Sequence, residues 1–87
     1  MTLKELELFY ALCEDSHVSR LSRKLELSQS AISLALKSLE KKLEEPLFDR
    51  FGKKLVLNER GRIFKEKTYE NYLSLRDAEN FFKKDKI

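Results

Sequence analysis

Tryptophan does not occur in these 87 residues, cysteine, histidine, proline and methionine occur once each, and glycine occurs twice. A lone Cys13 excludes an internal disulfide, and with His17 as the only histidine no Cys/His metal-ligand spacing can be written. Cys13 reads as a small buried apolar residue. The same scarcity removes most catalytic readings: no Ser/His/Asp or Cys/His set assembles around one histidine, and no glycine-rich phosphate loop is present. Glu44, Glu45 and Asp49 read as a solvated turn. No enzyme activity, metal or cofactor is expected. No apolar run approaches the roughly 18 to 20 residues that cross a bilayer, and acidic residues interrupt the apolar pattern of "MTLKELELFYAL". The chain is therefore expected to have no membrane association and a cytoplasmic location.

Charged residues, 38% of the chain, nearly match hydrophobic ones at 41%, which suits one small helix-rich domain. A chain of this size buries only about two-thirds of its unfolded surface, so any large apolar face left over implies a partner subunit. The net charge of +3 is unevenly placed, because residues 28–62 carry eight basic and five acidic side chains and hold the whole excess. A basic middle third points weakly to a polyanion.

Thr2 with Glu5 three residues on makes a capping box for a first helix, in which Leu3, Leu6, Phe9, Tyr10 and Cys13 recur at helical spacing. "EDSH" breaks it, and Ser16 is the expected cap of a second helix burying Val18, Leu21 and Leu25. Ser28 then caps a third helix with Ala31, Ile32, Ala35, Leu36, Leu39 and Leu43 on its apolar face. The residue before Pro46 is biased out of helical conformation, so "EEP" ends that helix. Two helices joined by about three residues form a helix-turn-helix, with Leu27 expected as an apolar peg in the turn.

After Pro46 the period changes. Leu47 to Arg50 and Leu55 to Leu57, around Gly52-Lys53-Lys54, predict a hairpin with a basic tip, which in this position is a wing. Asn58 caps a last helix from Glu59 to about Lys84, roughly 39 Å long at 1.5 Å per residue. Phe64, Thr68, Tyr72, Leu75, Ala78 and Phe82 run down one side of it, flanked by Tyr69, Leu73 and Phe81. With no partner for this stripe expected inside the chain, it should pair with its copy in a homodimer.

The second helix of a helix-turn-helix touches base edges mainly with its N-terminal residues. "SQS" suits that place, since small side chains allow close approach and glutamine pairs bidentately with adenine. A helix N-terminus also favours a nearby phosphate. Gln29, Ser30, Ser33 and Lys37 fall opposite Ile32, Leu36 and Leu39 on the helical wheel, and Ala31 beside them can meet a thymine methyl. Lys41 and Lys42 lie further along and suit the helix C-terminus even without DNA.

"LSQSAIS", "LEKKLEEPLFDR" and "LNERG", in this order and spacing, resemble the N-terminal DNA-binding domain of the LysR-type transcriptional regulators from about Leu3 to Phe64, and the last helix resembles that family's linker helix. The resemblance implies a mainly α winged helix-turn-helix of three helices and a short hairpin over 1–58, followed by a dimerisation helix over 59–87. It implies a homodimer, formed through antiparallel linker helices, bound to double-stranded DNA at a dyad-related site. By position, base and phosphate contacts fall on Ser28, Gln29, Ser30, Ala31, Ser33 and Lys37, and wing contacts to backbone and minor groove on Arg50 and Lys53. Departures from the family include Ser30 in place of its usual proline and Leu34 in place of a basic or polar residue. The family's effector-sensing domain is not among these 87 residues, so no small-molecule effector site is expected in the chain. The competing reading is a winged-helix interaction module that dimerises without reading DNA.

Overall fold

In the computed structural model, which describes residues 1–85, Thr2 opens the first helix through the expected reciprocal pair. Glu5 N–H donates to Thr2 Oγ1 at 3.1 Å, and Thr2 N–H donates to Glu5 Oε1 at 2.9 Å. This helix, α1 (Leu3–Glu14), buries Leu6, Leu8, Phe9, Tyr10 and Leu12. That is more than one stripe, because α1 is central and packs against every other helix and the second strand of the wing.

The chain continues as α2 (Val18–Leu25), α3 (Gln29–Leu43), the antiparallel strands β1 (Phe48–Phe51) and β2 (Lys54–Leu57), and α4 (Glu59–Asp85). The fold is thus a three-helix winged helix-turn-helix with a long fourth helix. The last two positions of the expected 59–87 segment lie outside the described residues.

The start of α2 differs from expectation. His17, not Ser16, occupies the N-cap, and it makes no side-chain capping bond. Asp15 fixes the turn instead: its Oδ1 accepts from His17 N–H at 3.1 Å, and its Oδ2 accepts from Arg20 Nε at 2.8 Å. This frees the Ser16 carbonyl to accept from Leu55 N–H at 3.0 Å, so the connector adds a one-residue bridge, His17 to Lys54, to the wing. Leu25, expected in the core, is 38% exposed. It is the last residue of α2, after which Glu26 turns the chain through the left-handed region at φ 56°. Leu27, at 39% exposure, is likewise less buried than a seated peg. The turn is held by hydrogen bonds rather than packing, with Leu27 N–H donating to Ser22 O at 3.1 Å and the Ser22 hydroxyl donating back to Leu27 O.

Ser28 caps α3, its Oγ accepting from Ala31 N–H at 3.0 Å, and Ile32, Leu36 and Leu39 are buried. The helix stops at Glu44, again left-handed at φ 56°, so the chain has turned before Pro46 arrives. The first strand is displaced by one residue from the expected Leu47 to Arg50, and the second ends at Leu57 as expected but starts one residue earlier, at Lys54. Phe51 opposes Lys54 across a two-residue turn whose Gly52 has φ 63°, a conformation that favours glycine in such a hairpin. Phe48 and Leu55 face the core.

Asn58 caps α4 as expected, its Oδ1 accepting from Gly61 N–H at 2.8 Å. Its amide also donates to Pro46 O at 3.0 Å, and its backbone N–H to Leu47 O at 3.0 Å. Gly61 presses so closely on this segment that an added Cβ would collide with the Leu47 carbonyl oxygen and with Leu57 Cδ1. The 27 residues of α4, about 40 Å of helix, account for the 43 Å long axis of the molecule.

The core does not stop at residue 58. Phe9 meets Phe48 and Phe64 edge-on, at centroid distances of 5.6 and 5.1 Å. Tyr10 stacks on Tyr72 at 4.4 Å, donates from its hydroxyl to Lys65 O at 3.0 Å, and shares a hydrogen bond with Thr68 Oγ1. Phe64, Thr68 and Tyr72 thus have a partner within the chain, contrary to expectation, whereas Leu75, Ala78 and Phe82 are exposed. Each such buried aromatic contributes about 1.5–3 kcal/mol, against at most about 1 kcal/mol for a surface pair such as Arg60–Glu45. The joint between α1 and α4 is therefore held by apolar contact.

Candidate nucleic-acid interface

Burial of Ile32, Leu36 and Leu39 turns the opposite side of α3 to solvent. Ser28, Gln29, Ser30, Ala31 and Lys37 are exposed there, while Ser33 is half-buried. The Ser28 hydroxyl oxygen is committed to the cap, and its O–H hydrogen remains free to donate. Ala31 and Ile32 N–H are satisfied by Ser28. The N–H groups of Gln29 and Ser30 find no acceptor within the helix, which leaves two outward donors at its positive end.

A shallow cleft of about 160 Å³ separates α3 from the wing. Gln29 and Ser33 line it from α3, and Arg50, Gly52, Lys53 and Leu55 from the hairpin. Arg50 pairs with Leu55 and shares its face of the ribbon, which turns the Arg50 side chain towards α3. Four of the expected site residues thus meet around one cleft. Ser28, Ser30, Ala31 and Lys37 do not line it and lie on the exposed face of α3.

Val18 and Ser19 complete the cleft from the first turn of α2. Neither was among the expected site residues, and Val18 was expected on the buried side of its helix. The backbone bond from Leu55 to Ser16 and the bridge from His17 to Lys54 hold this turn beside the wing.

Among the described residues, the ion pairs join Glu5 to the N-terminus, Asp15 to His17 and Arg20, Glu45 to Arg60, and Glu79 to Lys83. The Arg20 guanidinium holds the Asp15 carboxyl below its usual range. Lys37, Arg50 and Lys53 appear in none of these pairs, so their charge is not neutralised by a neighbouring carboxylate.

A second groove, of about 830 Å³, runs between α1 and α4 and is lined by Tyr10, Cys13, Tyr69, Tyr72 and Arg76 among others. Burial pushes the Cys13 thiol up to about 11, so it is neutral at physiological pH. Arg76 lies over the Tyr72 ring at 5.5 Å. Beyond the groove α4 exposes Leu75, Phe81 and Phe82 at 53%, 57% and 63%. Among the described residues no group of three His, Cys, Asp or Glu side chains is placed to hold a metal, and no helix is long and apolar enough to cross a membrane.

The family described as bacterial regulatory helix-turn-helix protein, lysR family, matches residues 3–62. The HTH-type transcriptional regulator YeiE of Escherichia coli is 39% identical over 85 residues, covering 98% of this chain but 29% of its own length. The chain therefore spans less than a third of that relative. The transcriptional activator IlvY of Salmonella typhimurium is 35% identical over 79 residues, which cover 87% of the chain and 27% of the activator. Among solved structures, the full-length Vibrio cholerae virulence activator AphB, of the LTTR family, superposes with a TM-score of 0.82 at 26% identity, over 94% of this chain and 28% of AphB. The DNA-binding domain of CbnR, solved in complex with DNA, superposes at 0.80 over 98% of this chain and 97% of that domain. At 24% identity this likeness concerns the fold.

Proposed function

The chain belongs to the LysR family of bacterial regulatory helix-turn-helix proteins, and on that premise we propose that it reads double-stranded DNA sequence-specifically, as a homodimer, in transcriptional regulation. The named relatives are regulators, and nothing in them supports an enzymatic reading. The observation that carries the proposal is the cleft where Arg50 and Lys53, unpaired with any carboxylate, meet Gln29 and Ser33. In this reading α3 enters the major groove. Gln29, Ser30, Ala31 and Ser33 meet base edges, Ser28 and the N–H groups of Gln29 and Ser30 meet a phosphate, and Lys37 meets a base or phosphate one turn on. Arg50 and Lys53 follow the backbone into the adjacent minor groove. Such a role belongs in the cytoplasm, where a bacterial regulator meets DNA.

For the dimer, the exposed second half of α4 supports a seam built on Leu75, Ala78 and Phe82 with Phe81 alongside. Phe64, Thr68 and Tyr72 hold α4 against α1 and set its direction. A dyad-related pair of α3 helices then meets a dyad-related site.

Fluorescence anisotropy with a pool of random duplexes at two salt concentrations, followed by sequencing of the bound fraction, tests the reading. An enriched inverted repeat is expected, with an affinity that falls on a log-log slope near −0.9 per neutralised phosphate. Gln29→Ala should relax the base preference and cost about 1–3 kcal/mol, while Lys53→Ala should weaken all sequences alike and flatten the slope. Salt-sensitive binding with no enrichment would reduce the proposal to non-specific binding. A folded dimer that binds no duplex would favour the interaction module.

A further inference from the structure

At 67% exposure Leu34 is the most exposed large apolar side chain among the described residues. It lies two residues from both Ile32 and Leu36, about 200° around the helix from each, so it points away from the core those residues enter. Its neighbours on the outer face are Ser30 and Ala31, one turn before, and Lys37 and Ser38, one turn after, all exposed. Packing of the chain makes little use of Leu34, and a charged helix former would serve the free helix as well. A scattered surface leucine needs no explanation. This one lies on the exposed side of α3 between Ser30 and Lys37, beside two helix N–H donors and a lysine that suit a polyanion, and next to the cleft that the wing cations line rather than in it.

We infer that Leu34 itself reads the C5-methyl group of a thymine in the major groove, a contact separate from any that Ala31 makes. The inference rests on the DNA reading proposed above. The thymine methyl is the apolar group that the major-groove edges present, while the other base functions there are hydrogen-bond donors and acceptors. An aliphatic side chain gains by burying that methyl. Against cytosine it offers the N4 amine no acceptor, which costs affinity once water is excluded. Gln29 then selects by hydrogen bonding and Leu34 by methyl contact, so the preferred half-site holds a thymine whose methyl is itself recognised.

The test starts from the motif that the 87-residue chain selects. Each thymine in a half-site is replaced in turn by deoxyuridine, which keeps its base pair but lacks the methyl, and Kd is measured for the wild type and for Leu34→Ala. At one thymine per half-site, deoxyuridine should weaken the wild type about fourfold, equivalent to the roughly 0.8 kcal/mol of one buried methyl-sized group. Leu34→Ala should bind the two duplexes nearly equally, with the effect of deoxyuridine at other positions unchanged. A half-site without thymine, wild-type indifference to every deoxyuridine, or a deoxyuridine effect that survives in Leu34→Ala would each overturn the assignment while leaving the DNA reading intact. A chain that selects no motif would sink both. Since Leu34 is outside the core, Leu34→Ala is expected to fold as the wild type, and thermal unfolding checks this.

Discussion

The two halves of α4 carry the same kind of stripe and meet different fates. Phe64, Thr68 and Tyr72 lie against Phe9 and Tyr10 of α1, with Tyr72 only 7% exposed. Leu75, three residues on, is 53% exposed, and Phe82 is 63% exposed. Helical spacing is unbroken across the boundary. The cause of the difference is the length of the partner: α1 has 12 residues, about 18 Å, and ends before α4 has run half its course. A periodic apolar stripe therefore reports that a face will be covered and says nothing about which surface covers it.

The same substitution placed on either side of that boundary should separate the two roles. Tyr72→Asp removes the stack on Tyr10 and buries an unpaired charge, so a loss of about 3–5 kcal/mol or more is expected, seen as a lower thermal midpoint at every protein concentration. An unchanged midpoint would mean that the first half of α4 is not part of the core. Gly61→Ala tests the anchor of that half at Leu47 and Leu57. Overpacking there should cost about 1–3 kcal/mol, read in urea unfolding, and a neutral result would contradict the close approach.

Leu75→Asp should leave the circular dichroism of the chain intact and halve its sedimentation mass. If the mass stays dimeric, the proposed seam is wrong. The smallest effect concerns Cys13, in the groove between α1 and α4. Its thiol is raised by burial from 9.0 to about 11, so the neutral form is favoured in the folded chain. Its contribution to stability is present below pH 9 and is lost as pH rises through about 11. Alkylation of the folded protein should accordingly have a midpoint near pH 11, moving to about 9 in urea. Equal midpoints would show that the groove leaves the thiol fully hydrated.

Much of the fold was legible because it is written in local chemistry. The capping box at Thr2, the serine cap at Ser28, the asparagine cap at Asn58 and the glycine turn at Gly52 are each decided within four residues, and each formed as the sequence indicates. Ser16 failed as a cap because a residue 39 positions away, Leu55, donates to its carbonyl and draws the connector into the wing. Leu25 matches an apolar face by spacing, yet an eight-residue helix ending in a left-handed turn has no core left to offer it. The candidate interface divides in the same manner. Gln29, Ser30 and Lys37 could be named from the helical wheel, whereas Val18 and Ser19 enter the cleft through the long-range bond to β2.

What the sequence by itself determined is the set of helices, their caps, the hairpin and the polar face of α3, because period and capping act over one or two turns. Only the tertiary structure decided that Tyr10 holds α4, that Arg50 and Lys53 face Gln29 and Ser33 across a cleft, and that the apolar stripe is half used. Those outcomes depend on where a short central helix runs out and on which distant backbone groups meet, and neither quantity is encoded at any single position of the chain.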